Sequence, residues 1–184
     1  MISTELSLSV AQDLQFKKQQ LIAAYRDKRR PNAFFQGYGA ALEYALCVLW
    51  QDLFSGSPLC LLAIGGFGRA EMYPYSDLDL AIVAPYTLSP AEEERVAALV
   101  QTLWDIGLMP AAKVGSLSEL CQSAQEDLSS DTALLEARFV CGNHVLADQL
   151  LHQLALQRDV AAFIEGKLLE QQQRHAKAQG SGSL

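Results

Sequence analysis

Asp77 and Asp79 stand two positions apart at the head of the apolar run Leu78 to Ala84, a short way after the pair Gly65-Gly66. Side chains two apart on a strand share a face, so the sequence sets both carboxylates side by side. Neighbouring carboxylates repel, and each then favours its protonated form. A divalent cation between them removes the conflict, and hard oxygen ligands suit Mg²⁺. Gly65 and Gly66 lack a Cβ, so the backbone there can approach a ligand closely and offer N–H groups to phosphate oxygens. A metal held by Asp77 and Asp79 beside such a cradle would polarise an α-phosphate and neutralise developing charge, which is the chemistry of nucleotidyl transfer. Each half alone has a plainer reading. Ser76-Asp77-Leu78-Asp79 can be a turn in which Asp caps local N–H groups, and a Gly-Gly pair by itself is weak evidence. Joined by the spacer Phe67 to Ser76, with apolar strands on either side, the combination is far more specific.

These residues need a small sheet to hold them. Leu59 to Ile64 is a short apolar run ending at the glycines, which suits a buried strand, and Leu78 to Ala84 is a second, ended by Pro85. Leu108 to Val114 is a third, weakened by Pro110. Ahead of them, Ser9 to Arg30 reads as an amphipathic helix, with Leu14, Lys17, Leu21 and Tyr25 at helical spacing and a stop at Pro31-Asn32. Phe35 to Phe54 reads as a second helix. Pro90, followed by Glu92, Glu93 and Glu94, opens another that runs to about Asp105. From Ser118 onward the chain reads as helical throughout: Leu120–Glu126, Thr132–Val140, His144–Leu156, and Val160 to about Lys177. The pattern predicts an α+β fold, a small mixed β-sheet flanked by helices with a helical C-terminal half. It divides into N-terminal helices (1–56), a sheet core (57–117), a helical part (118–178) and a loop-like tail (179–184).

The 184 residues, half of them hydrophobic, are enough for one domain with a real core. A net charge of −7 argues against general attraction to nucleic acid, so an anionic ligand would need a local device. Lys28-Arg29-Arg30 reads as a solvated helix end. Cys47, Cys60, Cys121 and Cys141 lack CxxC spacing and read as reduced core residues. No signal peptide opens the sequence and no apolar run approaches the ~20 residues that span a bilayer, so a cytoplasmic location without membrane contact is expected. His144, His152 and His175 are too scattered to suggest a metal site.

The spacing of apolar-Gly-Gly followed by Asp-apolar-Asp-apolar resembles the signature of polymerase-β-like nucleotidyltransferases. The fuller run GGFGRAEMYPYSDLDLAIV is similar to one branch, the N-terminal domain of the bifunctional PII uridylyltransferase/uridylyl-removing enzymes. The resemblance continues in Leu103-Trp104-Asp105-Ile106-Gly107-Leu108, Glu126-Asp127-Leu128, Thr132 to Arg138 and Gln173-Arg174-His175, and spans roughly residues 35 to 180. It implies a polymerase-β-like fold that moves UMP from UTP to a tyrosine of the PII nitrogen-regulatory protein and releases pyrophosphate. It further implies that Gly65 and Gly66 line the triphosphate while Asp77 and Asp79 bind Mg²⁺. Arg69 and Glu71 either pair with each other or free Arg69 for a phosphate. Ser76 either caps the strand entrance or touches the nucleotide.

The match departs at Met109 to Ser116, where Ala111, Ala112, Lys113 and Gly115 stand in place of the family's glycine, histidine, serine and arginine. No third carboxylate lies between Asp105 and Glu119. Lys113 either restores the lost positive charge or is an exposed strand residue. The departure keeps two alternatives open: a nucleotide- or PII-binding module impaired in catalysis, and a transferase for another nucleotide or acceptor. Family members continue into HD and ACT domains. This sequence has no His-Asp dipeptide, so no uridylyl-removing site is expected in it, and a truncation near residue 184 is the expectation.

Overall fold

β1 (Cys60–Ala63) and β2 (Leu78–Ala84) are almost free of polar side chains because both faces of the sheet they centre are covered. The computed structural model describes residues 2–180. Its four strands lie in the order β3-β2-β1-β4, with β3 (Pro110–Ser116) parallel to β2 and both other pairings antiparallel. The result is the α+β arrangement the sequence predicts, a mixed sheet flanked by helices.

Alternation along β2 divides the interior in two. Leu78, Leu80 and Ile82 face a core completed by α1 (Thr4–Lys28), α2 (Pro31–Phe54) and α4 (Pro90–Asp105). Ala81 and Val83 face a second core built with α5 (Leu117–Glu126), α6 (Leu128–Leu135) and α7 (His144–Gln157). Asp79 belongs to the same row as Ala81 and Val83 and ends that row at the edge of the second core.

Local chemistry sets most boundaries. Arg29 turns α1 off in the left-handed region, with φ 47°, and its N–H caps the Tyr25 carbonyl at 2.8 Å. Pro31 then opens α2 instead of merely stopping α1, since a missing N–H costs nothing in a first turn. Pro90 does the same for α4, where Glu92 accepts the Ser89 N–H at 2.8 Å. Pro110 is tolerated as the first residue of β3, which lies at the sheet edge.

The continuous helix expected over Thr132–Val140 is not formed. α6 ends at Leu135, and Arg138–Gly142 is a fourth strand, β4, paired with β1 across a bulge between Leu61 and Leu62. Phe139, Val140 and Cys141 suit a pleated surface. α8 (Val160–Gly180) runs beyond the expected Lys177, and the tail expected over 179–184 lies, from 181 onward, outside the described residues. Burial pushes the Cys60 thiol up to about 12, as suits an inert core cysteine. No helix among the described residues is long and apolar enough to cross a membrane.

Candidate active site at the head of β2

The chain leaves β1 through one helical turn, α3 (Gly65–Gly68), and returns through a loop to Asp77. Gly65 takes φ +52°, and a Cβ there would sit 2.7 Å from Asp79 Oδ2. At Gly68 a Cβ would collide with the Glu136 carbonyl. The turn is fastened on both sides: the Ile64 N–H donates to the Asp79 carbonyl at 3.1 Å, the Gly68 N–H to the Ile64 carbonyl at 2.8 Å, and the Glu71 N–H to the Gly66 carbonyl at 3.0 Å. The glycine turn is thus closed on itself and tied to Asp79 of β2 through Ile64.

The loop is latched to the N-terminal helices. Lys18 donates its ammonium to the Pro74 carbonyl at 3.1 Å and sits 4.7 Å above the Tyr75 ring, while Tyr73 meets Phe35 edge-on at 4.7 Å. Ser76 closes the loop on itself, its hydroxyl accepting the Tyr73 N–H at 3.3 Å. Arg69 donates to Glu71 at 2.9 Å and lies 3.5 Å from Glu136. Arg138, from β4, donates to the carbonyls of Gly68 and Phe67, both at 3.3 Å, and pairs with Glu43 of α2 at 2.8 Å. Sequence reasoning missed that clamp. Arg138 stood within a segment carrying the family resemblance, but the helix expected there hid its direction.

Asp77 is exposed and Asp79 half-buried. Burial raises the Asp79 carboxyl above the ordinary carboxylate range; the Gly66 N–H opposes this, the Asp77 charge adds to it, and Arg69 opposes it. The site therefore holds an acid whose charge the protein does not fully compensate. On the neighbouring strand, Ala111 is the register partner of Asp79, so β3 offers a methyl group at that level and no further carboxylate. Lys113 donates to Ser130 at 2.8 Å, and the hydroxyl of Ser130, almost fully buried, donates to Asp127 at 2.7 Å. Lys113 is thus committed beneath α6. Among the described residues, no group of three or more His, Cys, Asp or Glu side chains is gathered for a metal. His144, His152 and His175 are all exposed.

Two carboxylates nevertheless fit Mg²⁺, which commonly takes one or two protein carboxylates and completes its octahedron with phosphate oxygens and water. Beside the glycine turn opens a cleft of about 690 Å³ whose lining includes Gly65, Gly66 and Arg69 on one side and α6 and α8 on the other. Of the residues singled out in the sequence, the fold brings Gly65, Gly66, Arg69, Asp77 and Asp79 into one corner and uses Ser76 to tie the loop between them.

No family model matches the chain. The bifunctional uridylyltransferase/uridylyl-removing enzyme of Neisseria meningitidis serogroup A is 52% identical over 174 residues, covering 93% of this chain and 20% of that enzyme. Its counterpart from Chromobacterium violaceum is 40% identical over 167 residues, covering 90% of this chain and 19% of that enzyme. The chain is homologous to the N-terminal region of these enzymes. It spans about a fifth of the length of these uridylyltransferase/uridylyl-removing relatives. A solved toxin–antitoxin complex with AMP-PNP overlaps 73% of this chain and 94% of its own at 17% identity and a TM-score of 0.35, too loosely to bear on the site.

Proposed function

We propose that this chain is a nucleotidyltransferase domain that moves UMP from UTP to a tyrosine hydroxyl of the PII signal protein and releases pyrophosphate. Asp77 and Asp79 would hold Mg²⁺ in this reading, a Lewis acid that would supply stabilisation of the charge developing on the phosphates. The Gly65-Gly66 backbone bounds the triphosphate, Arg69 approaches it from the rim of the same cleft, and Ser76 keeps the acidic pair in register by closing its loop. The orienting work is the protein's share: an acceptor hydroxyl must be brought in line with the scissile bond, and a rigid turn limits how the triphosphate can lie.

One observation carries the reading. Asp79 is left short of compensation, next to Asp77, and packed so tightly on the left-handed Gly65 that no side chain fits between them. Homology to uridylyltransferase/uridylyl-removing enzymes supports UTP and PII as nucleotide and acceptor. The test is to incubate the chain with PII, UTP and Mg²⁺ and look for UMP on a PII tyrosine by mass spectrometry. Transfer that disappears with chelator, with Asp77→Asn and with Asp79→Asn is the expected result; transfer surviving both substitutions sinks the proposal. ATP in place of UTP distinguishes adenylyl from uridylyl transfer.

Ala111 opposite Asp79 favours a second reading, a nucleotide- or PII-binding module that does not turn over. UTP binding by calorimetry with no modified PII at any enzyme concentration would select it.

A further inference from the structure

A chain with a net charge of −7 that binds a polyphosphate must supply local cations, and the cleft lining contains two, Arg69 and Lys167. Arg69 is held by Glu71 and Glu136 on the glycine side. Lys167 comes from the opposite wall. It lies on α8 with Glu170 and Gln173, a spacing that puts all three on one helix face, and all three line the cleft. α8 is fixed at this level because Gly166 packs closely on α6: a Cβ on it would lie 2.9 Å from Leu128 Cδ2. Segments far apart in sequence therefore converge on one cavity: the glycine turn, the start of α6, and Gln173 at the head of the last stretch of family resemblance.

We propose that α8 forms the second wall of the nucleotide site, with Lys167 as a phosphate-contacting residue that Glu170 holds until the ligand arrives. This rests on the nucleotidyltransferase reading above and names residues for the same site. Lys167 donates to Glu170 at 2.8 Å, and Glu170 also stands 3.8 Å from Arg174. When a triphosphate enters, Lys167 can exchange a carboxylate for phosphate oxygens while Glu170 keeps Arg174 as counter-ion. The pair is only partly covered, with 30% of the Lys167 side chain and 42% of the Glu170 side chain exposed, so the exchange needs no unpacking. Lysine suits the task as a mobile point charge that tolerates several phosphate geometries. Glu170, by contrast, puts a negative charge into a cavity meant for an anion. The two residues of one ion pair should therefore act on binding with opposite signs.

The experiment is calorimetric titration of the chain with UTP, and separately with inorganic triphosphate, at fixed Mg²⁺. Lys167→Met is expected to weaken both ligands by about tenfold or more, as for loss of a hydrogen bond to a charged group. Lys167→Arg should retain most of the affinity, and Glu170→Gln should bind several-fold tighter than the wild type, roughly the effect of removing one like charge near a surface. Thermal melts of each variant check the fold, and Lys167→Gln, for which the same loss is expected, serves if Lys167→Met does not fold. The proposal is overturned if the wild type binds UTP and Lys167→Met binds it equally well, or if Glu170→Gln weakens binding as much as Lys167→Met does. A wild type that binds no UTP removes the nucleotidyltransferase reading itself, and this inference with it.

Discussion

Two acidic corners flank the cleft, and they are built in opposite ways. At the α5–α6 junction, Asp127 accepts the Ser130 hydroxyl at 2.7 Å, the Ser130 N–H at 2.8 Å and the Ser129 N–H at 3.2 Å, which hold its carboxyl below the ordinary range, with Lys113 adding to the effect. At the head of β2, Asp79 is raised by burial and by Asp77 against the pull of Gly66 and Arg69. The first acid is satisfied by its own chain and serves as a helix cap. The second is under-compensated, and that deficit is what a cation from solution can fill. A carboxylate near a cleft is thus read by what already binds it, and residue type alone does not distinguish cap from ligand.

The largest effect should come from Asp79→Asn. Uridylyl transfer is expected to fall by ~10³-fold or more with loss of a metal-binding charge at the reacting phosphate. The same substitution should raise Tm in the absence of metal, because it removes a charge that the fold penalises. An Asp79→Asn protein that is both inactive and less stable would mean that Asp79, like Asp127, is a structural acid. Next in size is Gly65→Ala. Its left-handed φ alone costs about 1–3 kcal/mol, and the new methyl would press on Asp79 Oδ2. Gly66→Ala meets nothing nearer than 3.9 Å and should change stability by only a few tenths of a kcal/mol. Urea unfolding of the pair measures the contrast; equal losses would show that the turn does not depend on the Gly65 geometry. A smaller drop in Tm is expected from Asp127→Ala, as for loss of a helix N-cap.

The sequence exposed the corner at the head of β2 more fully than the one at the α5–α6 junction, for a physical reason. Gly65, Gly66, Asp77 and Asp79 are close in the chain because a turn and the strand it feeds are neighbours in any hairpin-like connection. Leu78–Ala84 and Pro90–Asp105 were readable to the residue, one from an unbroken apolar run and the other from a proline that can only sit in a first turn. β4 was not readable, because Arg138–Gly142 is a short half-buried edge strand next to a helix, and its pairing with β1 is long-range. With it went Arg138, whose clamp on the glycine turn depends on which way a strand side chain points. Lys113 was left open between restored charge and exposed strand position. The fold gives it a third place, against Ser130 and beneath α6.

Titration separates the two corners with the smallest signal and the clearest sign. Asp127 and Glu119 have carboxyls held below their ordinary values, Glu119 by the Ser116 N–H and hydroxyl. Such groups contribute stability above the unfolded pKa, and that contribution is lost as pH falls through the folded pKa, so the chain should destabilise below about pH 4. Asp79 runs the other way. Its folded pKa is raised, so its penalty is absent while it is protonated and sets in as pH rises from the unfolded value through the folded one. Thermal melts from about pH 7 down to about pH 3 should therefore show two gaps closing from opposite sides. Asp79→Asn starts above the wild type and Asp127→Ala below it, and both converge on it as the carboxyls take up protons. If the Asp79→Asn gap keeps its size at low pH, its origin is packing, and the electrostatic deficit at the head of β2 is not what distinguishes that corner.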